Sequence, residues 1–387
     1  MPFKARPLCL PNIETARDEL LQAGASPACA ADLVAGGHLV MKLSAVPSGA
    51  ADLFLQLAGS HGIKVVAGQA SSMFYGSREQ FVCLANGVIG DGVWAAEGQR
   101  LMTTLARSAH PAREWRGKGC TIKLDRPRIL GILNLTPDSF YDGGRFVDPI
   151  AAVVRAEEMV AEGVDVIDIG GESTRPGAPS VGSQEELDRV LPVIERLRSV
   201  LTVPISIDTN KSGVADAALR VGANYVNDIS GLQFDADMAS VVAAHQAGLV
   251  VMHTRGRPDR MQLDTSYDDL AGEVYGCLEA AVESAVEAGI PRSAIAVDPG
   301  IGFGKSVDGN LELQRRLPEL LGLGCPVLLG TSRKSFIGKI LDSAGPDDRL
   351  AGTLATVAVG VLRGAMLHRV HDVAAAREAA MVAFALS

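Results

Sequence analysis

From about residue 129 to the end of the chain, short runs of β-branched apolar residues alternate with longer helical segments. No other feature limits the fold as tightly. The strand candidates are 129–134, 164–169, 204–208, 225–229, 249–253, 295–298, 326–329 and 366–370. Between them lie amphipathic or Ala-rich stretches such as 151–162, 185–201, 214–221, 270–288 and 311–321. A strand that is apolar along its whole length is covered on both faces, which calls for a parallel sheet wrapped in helices. Eight such units in roughly 250 residues match a closed (βα)8 barrel, the TIM barrel architecture. An open, doubly wound sheet is the alternative.

The strand ends favour the barrel. Asn134, Asp168, Asp208, Asn227, His253, Asp298, Ser332 and Arg369 each stand at or just past the C-terminal end of an apolar run. A barrel brings those ends to one mouth, where an active site is built. The chain has 387 residues, more than one domain usually takes, so a smaller unit is expected before the barrel. Residues 1–120 are read as a small α/β domain with elements near 39–43, 51–59, 64–67 and 101–107, and residues 121–387 as the barrel. The polar stretch 114–119 suits a linker between them.

Charge narrows the partners. A net charge of −9 argues against a nucleic-acid or anionic-membrane surface, both of which require a basic face. An anionic ligand therefore needs a local cluster of cations. The six cysteines are scattered with no C-x-x-C pair, the pattern of reduced thiols. The N-terminal MPFKARPLCLPN lacks the apolar stretch of a signal peptide, and the weakly polar run 352–362 is too short to span a bilayer. A cytoplasmic location is expected.

Seven segments carry chemistry. The first strand leads into a loop from Asn134 to Gly144 that holds Thr136, Pro137, Asp138 and Phe140. The second leads into Asp168–Gly177, where glycines allow close backbone approach and Ser173, Thr174 and Arg175 suit a polar or anionic ligand. Asp208, Asn227 and Asp298 close strands three, four and six. A carboxylate accepts two adjacent N–H donors and a carboxamide serves donors and acceptors, so this trio suits the 2-amino-4-oxopyrimidine edge of a pterin. Arg369 and His371 are two residues apart and project to one side of a strand, a phosphate-binding pair. Thr331-Ser332-Arg333-Lys334-Ser335 gathers hydroxyls and cations at a helix start, where free N–H groups favour anions. Ser183 and Glu186 have the spacing of a capping box.

Taken in order, these segments resemble dihydropteroate synthases over about residues 128–387. The resemblance rests on Gly131–Phe140, Ser173–Gly177, Ile207-Asp208-Thr209, Val226–Ile229, Met252-His253, Asp298–Lys305, Ser332–Ser335 and Arg369–Val373. It implies condensation of 6-hydroxymethyl-7,8-dihydropterin pyrophosphate with p-aminobenzoate. It further implies catalytic roles for Asp138, Arg175, Asp208, Arg369 and His371, and substrate contacts from Asn134, Phe140, Thr174, Pro176, Asn227, Asp298, Phe303, Lys334 and Ser335. Asn134 and the pyrophosphate would share a Mg2+, and a homodimer is expected. Tyr141 stands where the family commonly has Ser, and the fifth-strand loop from Met252 to Pro258 follows the usual pattern only in part. The rivals are a pterin-dependent methyltransferase and a non-catalytic homologue; the first has no need of Arg369-x-His371, and the second would have lost the loop motifs.

Overall fold

The computed structural model describes residues 3–9, 19, 39–68, 71–135, 149–174, 180–342 and 345–387. It divides into two compact units, Met1–Pro111 with Arg315–Gly324, and Ala112–Gln314 with Cys325–Ser387.

The first unit contains β1 (Lys4–Leu8), β2 (Leu39–Ser44), α1 (Ser48–Ser60), β3 (Lys64–Ala67), β4 (Ser71–Gly76), α2 (Arg78–Asp91) and α3 (Ala95–Ala109). Its four strands form an antiparallel sheet in the order β1-β2-β4-β3. Met41, Leu43, Phe54, Phe74, Phe81, Leu84 and Leu101 fill the core beneath the helices. A capping box does form here, at a place the sequence reading passed over. Ser77 accepts from the backbone of Gln80, whose side chain accepts from the backbone of Ser77. The unit also takes in the 3-10 segment Leu317–Leu323, which comes from the barrel's stretch of sequence. A helix was expected over 311–321; it stops at Arg315, and Pro318 opens the tighter turn instead. Arg316 is buried there and donates to Glu19 at 2.5 Å and Glu319 at 2.7 Å. Glu319 also accepts from the backbone N of Cys9 at 3.0 Å, so each buried charge has the partner that its desolvation demands.

The second unit opens with a hairpin, β5 (Glu114–Gly117) and β6 (Cys120–Lys123). This corrects the reading of 114–119 as a linker. Trp115 is fully buried, its ring 3.9 Å from that of Tyr225, and its indole N–H donates to the carbonyl of Ala294 at 3.2 Å.

Eight parallel strands follow: β7 (Arg128–Asn134), β8 (Val166–Gly170), β9 (Ile205–Asp208), β10 (Tyr225–Asp228), β11 (Gly248–Met252), β12 (Ile295–Asp298), β13 (Leu328–Leu329) and β14 (Leu367–Val370). Their order is β12-β11-β10-β9-β8-β7-β14-β13, and a parallel bridge between Val297 and Val327 joins the two edges into a barrel. Helices α4 (Pro149–Ala161), α5 (Ser183–Val200), α6 (Ser212–Arg220), α7 (Met238–Ala244), α8 (Leu270–Glu287), α9 (Val307–Arg315), α10 (Ser335–Leu341), α11 (Leu350–Leu362) and α12 (Val373–Ala385) connect them. Among the described residues no helix is long and apolar enough to cross a membrane. The capping box expected at Ser183 is not formed: Gly182 caps α5 without a side-chain bond, and Glu186 pairs with Lys211 at 2.5 Å.

The inward-facing residues set the chemistry of the interior. Leu130, Val166, Tyr225, Val250, Ala296, Leu328 and Leu367 pack with Trp115 into one apolar layer. Two residues further along each strand, on the same face, stand Ile132, Asp168, Asn227, Met252, Asp298, Gly330 and Arg369. The interior thus turns from hydrocarbon to charge within one step toward the strand C-termini.

Candidate active site

That step opens into a cavity lined by Ile132, Thr174, Asp208, Asn227, Ile229, Met252, Asp298, Phe303, Gly330, Ser332, Lys334, Arg369 and His371. Arg369 is at its centre of charge. Its Nε donates to Asp168 Oδ2 at 2.5 Å and its Nη2 to Asp208 Oδ2 at 2.6 Å. Burial works against the charge on this guanidinium, but Asp168 and Asp208 outweigh it and hold its pKa above the ordinary arginine value. Asn227 Nδ2 donates to the same Asp168 oxygen at 3.2 Å.

Burial pushes the Asp208 carboxyl up to about 7; Arg369 pulls against that shift, while Asp168 adds to it. Asp298 is raised as well, mainly by burial, although Lys334 and the backbone N–H of Gly300, 2.7 Å away, favour its charged form. Lys334 is lowered to about 8 by burial, with Asp298 opposing. Its Nζ donates to the carbonyl of Ile301 and lies 4.8 Å from the centre of the Phe303 ring. Burial thus works against the charged form of Asp208, Asp298 and Lys334 alike, while their oppositely charged neighbours favour it.

The loop after β12 is fixed from below. Gly300 has φ +69, and a Cβ there would come 1.9 Å from the carbonyl oxygen of His253, so only glycine fits. Lys305 Nζ reaches His253 Nδ1 at 2.9 Å, the His253 carbonyl at 3.3 Å and the Phe303 carbonyl at 2.8 Å. These bonds hold Phe303 in the cavity wall, where it packs with Ile229, Met252 and Met261. Met261 belongs to the fifth-strand loop, which also ties in through Gln262 Nε2 to the Gly302 carbonyl at 2.7 Å. On the opposite edge of the barrel order, Ser332 Oγ lies 2.9 Å from His371 Nδ1 and accepts from the His371 backbone at 3.1 Å. Arg333 between Ser332 and Lys334 has φ +55 and turns away, donating to Asp372 at 2.6 and 2.9 Å. Its neighbours both line the cavity as a result.

The structure brings together Thr174, Asp208, Asn227, Asp298, Phe303, Lys334, Arg369 and His371 from the expected set. Asn134 ends β7 half-buried, close to Gly170: a Cβ on that glycine would be 3.6 Å from Asn134 Oδ1 and 3.7 Å from Asp208 Cβ. Ser335 opens α10, is exposed and does not line the cavity. Asp138, Phe140, Arg175 and Pro176 lie outside the described residues. Ser332 and Asp168 were not among the expected site residues, although both were visible as polar strand ends. Met261 had no comparable signal, because an apolar residue in an irregular loop has no period to betray it.

As to a metal, the described residues contain no group of three or more His, Cys, Asp or Glu able to hold an ion. Mg2+ commonly keeps several waters and is bound by one or two protein oxygens with substrate phosphates. Asn134, whose carboxamide oxygen lies 3.6 Å from where a Cβ on Gly170 would stand, offers one protein oxygen of the kind such a partial site uses.

Comparison with known proteins agrees with this geometry. A family model described as pterin binding enzyme matches residues 130–371. The dihydropteroate synthase of Synechocystis sp. is 49% identical over 261 residues, covering 67% of this chain and 90% of that protein. The crystal structure of a dihydropteroate synthase from Clostridium difficile in the presence of pteroic acid is 46% identical, with a TM-score of 0.64, and covers 68% of this chain and 97% of the other. That of Xanthomonas albilineans with 4-aminobenzoic acid is 43% identical, with a TM-score of 0.67, over 71% and 98% of the two chains. The barrel sequence, its closed sheet and the composition of its mouth thus agree, and the chain belongs to the dihydropteroate synthase family of pterin binding enzymes.

Proposed function

We propose that the barrel condenses 6-hydroxymethyl-7,8-dihydropterin pyrophosphate with p-aminobenzoate, giving 7,8-dihydropteroate and pyrophosphate on the way to folate. The observation that carries this reading is one cavity holding two carboxylates and an amide suited to a pterin edge, together with Arg369, His371 and Ser332 suited to phosphate.

In the reaction, the bond from the pterin methylene carbon to the pyrophosphate oxygen breaks and its electron pair leaves with pyrophosphate. The lone pair of the aromatic amine forms the new C–N bond, and the resulting ammonium loses its proton to water. The amine is a nucleophile already, so the protein's work is to hold and to stabilise charge. Asp208 and Asp298 accept N–H donors of the pterin, Asn227 serves both kinds of atom, and Lys334 covers the ring edge. Arg369 meets the leaving group, with His371 and Ser332 as further donors. Asn134 would hold Mg2+ together with pyrophosphate oxygens, where the ion would supply charge neutralisation.

Thr174 and Phe303 line the space left for the aminobenzoate ring. Family resemblance adds Arg175, Pro176, Phe140 and Asp138 from the two loops, and Ser335 for the carboxylate. A homodimer and a cytoplasmic setting go with the same reading; Val359, Leu362 and Val382 on α11 and α12 are 41%, 54% and 63% exposed, an apolar face that a second copy could cover.

The test is pyrophosphate release by the purified chain, followed in a coupled assay with and without p-aminobenzoate. Release that saturates with p-aminobenzoate is expected. Release at the same rate without it would be hydrolysis and would overturn the reading.

A further inference from the structure

Asp168 is the buried carboxylate for which the reaction as described has no use. It is fully buried on β8 and does not line the cavity, yet it touches two residues that do. One of its oxygens, Oδ2, accepts from Arg369 Nε at 2.5 Å and from Asn227 Nδ2 at 3.2 Å. Its other oxygen, Oδ1, is buried with no hydrogen-bond partner among the described residues, as is the hydroxyl of Ser206, the residue paired with it on β9. Leaving a carboxylate oxygen unpaired is costly, so the position is occupied for the sake of what Oδ2 holds.

Arg369 has two carboxylates but not two equivalent ones. Asp208 lines the cavity, and in the reading above it must give its oxygens to an incoming pterin. When it does so, its grip on Arg369 Nη2 is weakened or lost. Asp168 lies behind the cavity wall and no ligand competes for it. Nε is also the one guanidinium N–H that points away from the terminal fork, so bonding there leaves Nη1 and Nη2 directed forward.

We propose that Asp168 is a positioning residue: it locks the Arg369 guanidinium and the Asn227 amide to a single oxygen, so that Asp208 can exchange Arg369 for substrate without Arg369 moving. The proposal rests on the assigned reaction and adds a residue to it. It also explains how the phosphate-side and pterin-side groups on β14 and β10, with β7, β8 and β9 between them, share one acceptor.

A double-mutant cycle with inorganic pyrophosphate as the probe tests it. Asp168→Ala and Arg369→Ala should each weaken pyrophosphate binding by at least about tenfold, the scale of a buried charge pair that loses one member. The double variant should be no weaker than Arg369→Ala alone, because Asp168 acts only through that guanidinium. For the single Asp168→Ala variant, kcat and the KM for pterin pyrophosphate should change while the KM for p-aminobenzoate stays within about twofold. Asp168→Asn keeps the volume and one acceptor for Nε, so it should recover most of the loss; it also serves if the alanine variant does not fold. A folded Asp168→Ala chain with wild-type pyrophosphate affinity, an Asp168→Asn chain that loses as much affinity as Arg369→Ala, or losses that multiply in the double variant, would overturn the proposal. Wild-type protein that releases no pyrophosphate with p-aminobenzoate would sink the assigned reaction instead, which keeps the two failures apart.

Discussion

Single residues around the mouth are governed by burial acting on charge. Lys305 is 3% exposed and burial lowers its pKa to about 7, with Asp298 opposing. In the unfolded chain the same lysine titrates near 10.5, so between about pH 7 and 10.5 the unfolded state binds more protons and stability rises with pH. The contribution is complete above the unfolded value and is lost as pH falls toward 7. Lys305→Met removes this linkage together with three hydrogen bonds. The unfolding free energies of the two chains, from urea titrations, should therefore diverge in favour of wild type as pH rises from 7 to 9.5, by at most about 1.4 kcal/mol per pH unit. A parallel pair of curves would mean that Lys305 is not titrating in the fold. His253 is held neutral beside it, lowered by burial and by Lys305 to about 3, which is why its Nδ1 is available as an acceptor. None of this was readable from His253 and Lys305 as letters, because they are 52 positions apart in sequence.

Among the elements, the β5–β6 hairpin was the one most misjudged from sequence. Its residues are polar enough to suggest a linker, and only Trp115 and Ile122 carry apolar bulk. That bulk is what counts. Trp115 joins the lowest layer of the barrel interior, against Tyr225, Leu130 and Val166. Gly117 and Gly248 are required beside it, since a Cβ at either would come within 2.5 and 2.2 Å of the Tyr225 ring. Trp115→Ala should cost roughly 3–5 kcal/mol, the usual range for a large aromatic removed from a core. Urea unfolding measures this directly, and a change below about 1 kcal/mol would mean the hairpin only leans on the barrel. The strands and helices of the barrel were easier. An eightfold run of apolar segments leaves little choice of fold class, and the observed strands differ from the expected ones mainly by a residue or two at their ends.

For the whole chain, the division into units does not follow the sequence. Residues 315–324 leave the barrel's own stretch and complete the core and the charge network of the first unit, through Arg316, Glu319, Leu320 and Leu323. Removing Met1–Pro111 strips those side chains of their partners. Exposure of even a few hundred Å2 of apolar surface is worth several kcal/mol at about 25 cal/mol per Å2. A chain starting at Ala112 should therefore fold and keep p-aminobenzoate-dependent turnover, but melt several degrees below the full chain. One starting at Ile122 also loses Trp115 and should not give a cooperative melt. Calorimetry of both settles the matter; equal transitions for the two truncated chains would remove the hairpin from the barrel fold.

The sequence by itself determined the parallel barrel, the direction in which its mouth faces and most of the residue types gathered there. Alternation and strand-end polarity are local properties, each decided within a few positions. Pairing is not local. That Asp168 holds Arg369 from 201 positions away, that Glu186 serves Lys211 rather than its own helix end, and that 315–324 belongs to the first unit were decided by the tertiary structure alone. A buried charge must find its partner wherever the fold brings one within about 3 Å, and that distance is not written along the chain.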